Sequence, residues 1–337
     1  MSTLNYIFSF NEVFLLTLIV LVNIIILNNR VIIASKLRIN DYPNNRKIHS
    51  KPTPMMGGVC MFISLMSVSI YNYFHNEILF IELTINITFY IIFFLVGFCD
   101  DVKQLSPKLR TLIIIGSLSV ILLLNNNYLI QNLVFKYSDI NLNFGSLSYV
   151  FTIFCVFALY NALNFIDGYN GVSSSIVIYW IIFLLLNNPN LHYIISLIIL
   201  FMIFSYNVVG KVFLGNAGTN ILSIFISLSI ILDYNKYQSF YADEILFLLF
   251  FPGIDMIRVT VQRIIEGKKI YSPDQCHFHH YLIKKKIKYI WQMMLFLSIL
   301  PYLILVISKS TFFAFSLSTV IYIIILMLIK VNKKIKL

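Results

Sequence analysis

The chain has 337 residues, of which 59% are hydrophobic and 12% charged, where a soluble domain carries charge on about a quarter of its residues. Apolar runs of membrane-spanning length recur from end to end, which excludes a soluble globular class and predicts an all-α, polytopic integral membrane protein. The net charge of +11 would suit a nucleic-acid partner, but its distribution along the chain argues against one.

About eleven transmembrane helices are expected, near 10–27, 58–74, 83–98, 111–127, 146–161, 172–187, 191–208, 218–233, 242–257, 289–307 and 312–330. The first run has no basic residue before it and no small-residue cleavage site after it, so it reads as a retained span rather than a signal peptide. With the N-terminus outside, the inner segments are 28–57, 99–110, 162–171, 209–217, 258–288 and the C-terminal tail, and they hold 22 of the 25 Lys and Arg residues. That asymmetry predicts a cytoplasmic C-terminus. It assigns the positive charge to orientation and to anionic headgroups or phosphates, with no nucleic acid required. Cys60, Cys99, Cys155 and Cys276 show no paired spacing and read as core residues. The outer segment 128–145 alternates apolar residues (Leu133, Phe135; Leu142, Phe144) in the manner of a small hairpin or surface segment. No internal repeat or soluble domain is evident, so residues 1–337 form a single transmembrane domain whose inner loops build the site.

The polar clusters all fall on the predicted cytoplasmic side. The first inner loop carries Arg46, Lys47, His49 and Lys51, stiffened by Pro52 and Pro54 and closed by Gly57-Gly58. Basic side chains beside a glycine-rich helix N-terminus suit an anionic ligand. Asp100-Asp101 follow the third apolar run, and Lys103, Lys108 and Arg110 come after. Two adjacent carboxylates at a membrane boundary repel unless a cation or proton sits with them, so one suits metal binding and the other base or positioning work. The segment Asn161-Ala-Leu-Asn164-Phe-Ile-Asp167-Gly168-Tyr-Asn170-Gly171 places Asn161, Asn164 and Asp167 on one helical face, and the glycines end the helix. Amide carbonyls and a carboxylate are hard oxygen donors suited to Mg²⁺ and phosphate chemistry. Gly215-Asn216-Ala217-Gly218 opens another inward-facing helix beside which phosphate or metal can approach closely. Asp255, Arg258 and Arg263 close the ninth span, and the loop from Asp274 brings His277, His279 and His280. These histidines lack zinc-ligand spacing and fit donors to a diphosphate or sugar.

Taken as an ordered set, these motifs over residues 40 to 285 resemble the polyprenyl-phosphate N-acetylhexosamine-1-phosphate transferases. The carriers are Arg46-Lys47-x-His49 with Pro52, Pro54, Gly57 and Gly58; Asp100-Asp101; Asn161-x-x-Asn164-x-x-Asp167-Gly168-x-Asn170-Gly171; and His277-x-His279-His280. The likeness is greatest to the branch that primes O-antigen, teichoic acid and related surface glycans. The peptidoglycan branch typically follows its histidines with Phe-Glu, where this chain has Tyr281-Leu282. The resemblance implies an eleven-span fold in the cell inner (cytoplasmic) membrane with a cytoplasmic cleft. It implies transfer of sugar-1-phosphate from a UDP-N-acetylhexosamine to polyprenyl (undecaprenyl) phosphate, with UMP released. Its metal would be Mg²⁺, with Mn²⁺ as an alternative, held by Asn164, Asn216 and the Asp100-Asp101 pair. Either Asp100 or Asp101 would position or deprotonate the lipid phosphate, with Asp167 beside the metal. Lys108 or Arg110 would hold lipid phosphate. The three histidines, with Arg258 and Arg263, would contact the nucleotide sugar, and Arg46, Lys47, His49, Asn161 and Asn170 would line the substrate site. A homodimer is among the assemblies this architecture admits.

One departure stands out: the family usually has Asp where this chain has Asn216, and an amide carbonyl holds Mg²⁺ less strongly than a carboxylate. A catalytically silent binder of lipid phosphate or UDP-sugar is therefore the main rival reading. A transporter is a weaker one, because transporters place their sites near the midplane within repeats.

Overall fold

The computed structural model describes residues 8–43, 51–75, 77–138, 140–270 and 275–330. Among them run fourteen α-helices: α1 (Phe10–Asn28), α2 (Arg30–Leu37), α3 (Gly57–Phe74), α4 (Phe80–Lys103), α5 (Pro107–Ile121), α6 (Ser148–Ile166), α7 (Val172–Asn187), α8 (Leu191–Val208), α9 (Gly215–Leu232), α10 (Ala242–Leu248), α11 (Phe250–Ile265), α12 (Phe278–Lys284), α13 (Ile290–Ser308) and α14 (Thr311–Ile329). Nine of the helical stretches among the described residues are long and apolar enough to cross a membrane, and the 16-residue α7 is a shorter apolar helix. The chain is thus an all-α polytopic membrane protein. Two short antiparallel ribbons join β1 (Asn40–Asp41) to β2 (Thr53–Pro54) and β3 (Asn132–Val134) to β4 (Asn141–Asn143). The second is the hairpin that the outer alternation suggested, with Leu133 opposite Leu142.

Helix α9 is the axis of the bundle. Its span is 83% buried, against 22% for α1 and α14, and it packs on α3, α4, α6 and α7. Helices at the rim keep apolar side chains outward, as a lipid-facing surface requires. The close seat of α4 on α9 depends on Gly97, where an added Cβ would lie 2.4 Å from the Asn216 carbonyl oxygen and 2.5 Å from the Ala217 nitrogen. Helix α3 is tied to the same end through backbone bonds, Gly57 N–H to Phe213 O and Gly58 N–H to Leu214 O, both at 3.1 Å. Helices α3 and α4 therefore converge on the first turn of α9.

Two expectations from the apolar runs change. The third span, expected at 83–98, continues to Lys103 as a 24-residue helix. At 1.5 Å per residue it measures about 36 Å against a hydrocarbon core of about 30 Å, so its last turn projects past the apolar zone. Asp100 and Asp101 ride on that turn and not in a loop. The span expected at 242–257 is two helices, α10 and α11, parted at Leu249. Pro252 explains the break, since it has no N–H to offer the Leu248 carbonyl four residues back. The buried Trp180 of α7 takes over, donating its indole N–H to Leu248 O at 3.0 Å. Cys60 is buried as expected, whereas Cys99 is exposed.

Replacing Trp180 with Phe removes that donor and leaves a buried carbonyl unsatisfied, a loss of about 1–3 kcal/mol before any cavity term. Thermal unfolding of the detergent-purified variant is expected several degrees below the parent, and an unchanged transition would rule out this account of the break.

Candidate active site

The central motif forms as its spacing predicts. Helix α6 ends at Ile166 and Asp167 caps it. Asn161, one turn from the motif's centre, donates to the Phe157 carbonyl at 2.8 Å, which leaves Asn164 as the amide that reaches outward. Its Nδ2 donates to Asn216 Oδ1 at 3.0 Å. Asn216 in turn donates from Nδ2 to Asp101 Oδ1 at 3.0 Å and from its backbone N–H to the same oxygen at 2.8 Å, while Ala217 N–H donates to Asp101 Oδ2 at 3.0 Å. The structure therefore brings Asp101, Asn164 and Asn216 into one hydrogen-bonded set at the N-terminus of α9. Asp101 is bound there as a capping carboxylate supplied by another helix, which also favours negative charge at that end.

Asp100 takes a different partner. It is buried and accepts from Arg110 Nη1 at 2.6 Å. Ser106 caps α5 from Pro107 onward, and this start places Arg110 one turn in, against α4. Lys108 lies exposed on the same first turn. The two adjacent carboxylates thus do different work, one fastened to a helix end and the other to a guanidinium.

Asp167 accepts from the hydroxyl of Ser173 in a short hydrogen bond. Burial pushes its carboxyl up to about 6, opposed by the Ser173 hydroxyl and reinforced by the nearby Asp41 carboxylate. Asn207 closes the end of the motif, accepting from Gly171 N–H at 2.6 Å and donating to Val212 O at 2.9 Å. Asn170 is partly buried, its amide near Gly210.

The histidine segment meets this motif directly. His277, His279 and His280 lie in one group, with the 277 and 279 rings nearly parallel at 5.9 Å and the 279 and 280 rings 4.1 Å apart. Phe165 packs on His277 at 4.9 Å, and the Arg263 guanidinium sits 5.2 Å from the Phe165 centroid. His279 is 1% exposed, and neither ring nitrogen has a hydrogen-bond partner among the described residues. Burial, with the neighbouring His280 and His277, holds its imidazole well below the usual range, so the ring is neutral. An added Cβ on Gly168 would lie 2.0 Å from His279 Nε2. Asp255 is the hub behind the histidines: its carboxylate meets Arg258 Nη2 at 2.7 Å, His277 Nδ1 at 3.2 Å and the Tyr322 hydroxyl at 2.7 Å.

Among the sequence-predicted residues, Arg46, Lys47 and His49 lie outside the described residues, as does Asp274. Sequence reasoning missed Ser173, Asn207, Phe165 and Tyr322. Serine, asparagine and phenylalanine are too common here to signal anything, and Tyr322 sits in the last apolar run with no motif around it.

The donor set at α9 can be tested for a cation by its chemistry. Among the described residues no three His, Cys, Asp or Glu side chains stand together as a metal group. What the set offers is one carboxylate, Asp101, and the amides of Asn164 and Asn216, all hard oxygen donors that fit Mg²⁺ and not zinc.

Gly168→Ala should drive His279 from its place, so faster backbone hydrogen exchange over 277–284 with the bundle still folded is the expected result, read by exchange and thermal unfolding together. A pH series isolates Asp167. Its folded-state pKa is raised above the unfolded carboxyl, so its contribution to stability is present at low pH and is lost as pH rises through about 6. Relative to Asp167→Asn, the parent should gain melting temperature on going from pH 7 to pH 4.5; a constant difference would refute the raised pKa.

Comparison with known proteins agrees with this geometry. Residues 83–233 match the glycosyl transferase family 4 model, a segment that begins in α4 and ends just past α9 and so contains the Asp101, Asn164 and Asn216 set. Similar proteins include a probable undecaprenyl-phosphate N-acetylglucosaminyl 1-phosphate transferase of Bacillus subtilis, 26% identical over 74% of this chain and 71% of the relative. Undecaprenyl-phosphate α-N-acetylglucosaminyl 1-phosphate transferases of Escherichia coli strain K12, 24% identical over 75% of this chain and 71% of the relative, and of Yersinia pestis, 26% identical over the same shares, are also similar. With its motifs in order and its central helix end furnished as described, the chain is similar to glycosyl transferase family 4 over residues 83–233.

Proposed function

We propose that this chain transfers N-acetylhexosamine-1-phosphate from a UDP-sugar to polyprenyl phosphate. An oxygen of the lipid phosphate forms a bond to the phosphorus that carries the sugar, the bond from that phosphorus to the bridging oxygen breaks, and UMP leaves with the bridging oxygen. The products are polyprenyl-diphospho-sugar and UMP. The activities of the similar proteins favour N-acetylglucosamine as the sugar and undecaprenyl phosphate as the lipid.

The observation that carries this reading is the convergence of Asp101, Asn164 and Asn216 at the end of one buried helix, with Asp100 and Arg110 on one side and the histidine segment joined through Phe165 on the other. Phosphoryl transfer needs positioning and charge compensation more than covalent work by the protein, and this arrangement is suited to both. In the proposed reaction Arg110, with Lys108 near it, holds the lipid phosphate; Asp100 orients Arg110 and keeps it from closing on other anions. His277, His279 and His280 receive the diphosphate and sugar of the donor, with Arg258 and Arg263 supporting them from α11. Mg²⁺ (or Mn²⁺), when bound at Asp101, Asn164 and Asn216, would supply charge neutralisation for the diphosphate. The concentration of Lys and Arg on one face favours a cytoplasmic site in the inner membrane, where a lipid phosphate and a cytosolic nucleotide can meet.

The test is UMP release by purified protein given undecaprenyl phosphate, UDP-N-acetylglucosamine or other UDP-N-acetylhexosamines, and Mg²⁺. Release that needs all three components and falls at least about a hundredfold in Asn164→Ala and Asp101→Ala is the expected result. No release across the panel would instead favour a silent binder of the same ligands. The Asn216→Asp variant bears on the metal: it sets a second carboxylate beside Asp101 at the 3.0 Å contact now bridged by an amide N–H. That variant should melt lower than the parent without divalent cation and gain more from added Mg²⁺; equal shifts in both proteins would remove this position from the metal site.

A further inference from the structure

The last apolar helix reaches the site through one polar atom. Tyr322 of α14 is 5% exposed, and its hydroxyl donates to Asp255 Oδ1 at 2.7 Å while accepting from Arg258 Nε at 2.7 Å. Arg258 Nη2 reaches the same Asp255 oxygen at 2.7 Å and the Cys276 carbonyl at 2.6 Å. The other oxygen of Asp255, a residue 1% exposed, meets His277 Nδ1 at 3.2 Å and the Phe278 N–H at 3.3 Å. Asp255 Oδ1 thus takes the Tyr322 hydroxyl and two nitrogens of Arg258, Nε lying 3.2 Å away, while the other oxygen takes two donors, and the group is satisfied without solvent. An acceptor at Nδ1 fixes the His277 proton on that nitrogen, which leaves Nε2 as the atom available to a substrate.

We propose that Tyr322 is a positioning residue for the transfer reaction: through Asp255 its hydroxyl fixes the orientation and tautomer of His277. This rests on the transferase reading above. The geometry divides the residue into two functions. The ring packs on Phe278 at 5.7 Å and on Phe251 at 5.9 Å between centroids, and so belongs to the core. The hydroxyl alone belongs to the clamp. Without it, Asp255 Oδ1 keeps, among the described residues, only the Arg258 guanidinium, whose Nε is left with its longer 3.2 Å bond to that oxygen. The carboxylate can then rotate, and the segment Cys276–Phe278 loses its fixed seat although the helices around it remain packed. Networks of this kind act as a unit, so one missing hydroxyl is felt at a ring it never touches.

Two variants separate the functions. Tyr322→Phe keeps the ring and removes the hydroxyl; Tyr322→Leu removes both. The phenylalanine variant is expected to melt within a few degrees of the parent and to lose about tenfold in kcat/KM for the UDP-sugar, with KM for polyprenyl phosphate unchanged. Its backbone amides in 275–284 should exchange hydrogen faster than the parent's. The leucine variant should lose melting temperature as well. Parental kinetics and parental exchange in Tyr322→Phe would overturn the proposal and reduce Tyr322 to core packing, and so would an equal rise in KM for both substrates. Absence of UMP release from the parent would count against the transferase reading, while the exchange measurement would still decide whether the hydroxyl holds the segment.

Discussion

A helix that begins inside a membrane protein brings unbonded N–H groups into a place where water cannot satisfy them, and the structure turns on how α9 meets that demand. Asp101, from the far end of α4, accepts the N–H groups of Asn216 and Ala217. The bond requires α4 to lie almost in contact with α9, and Gly97 permits that approach. The same carboxylate then holds the Asn216 side chain, which holds Asn164 at the end of α6. A capping requirement thereby becomes the device that collects three helices' polar residues at one point. The charge that satisfies the helix end is also the charge that makes the point attractive to cations.

The histidine segment is organised by a second buried carboxylate. Asp255, on α11, is held by donors from α11 itself, from α14 and from the segment. The two carboxylates are used alike, each spent on fixing protein groups whose outer faces remain for a ligand. Buried charge is costly unless paired and bonded; Asp255 has Arg258 for that, and the half-buried Asp101 has the N–H groups of Asn216 and Ala217. The polar side chains left unspent, such as the ring nitrogens of His279, are the ones on which binding can draw.

Much of the site was legible in the sequence because its motifs interrupt apolar runs. Asn161, Asn164 and Asp167 stand out at helical spacing, and the skew of Lys and Arg sets the loops that carry these motifs apart from the others. The outer hairpin was readable from its alternation. Other features were not readable, for reasons that lie in the medium. In a membrane protein the lipid-facing and core-facing positions are both apolar, so periodicity does not say which helix is central, and α9 reads like its neighbours. Pro252 is compatible with a span or with the first turn of a new helix; the choice depends on Trp180, 72 residues earlier, offering its N–H to the orphaned carbonyl. The different fates of Asp100 and Asp101 cannot be read from adjacency, because one answers to Arg110 ten residues on and the other to a helix much further along. Tyr322 is one aromatic ring among many until its hydroxyl is seen against Asp255.

The separation of those two partners bears on how the chain assembles. Asp100 meets Arg110 across 10 residues, whereas Asp101 meets Asn216 across 115. During synthesis, α4 and α5 enter the bilayer as a pair that already holds one carboxylate, and the other stays at the boundary until four more helices have followed. Insertion of α9 is therefore the event that commits α4 to its final seat.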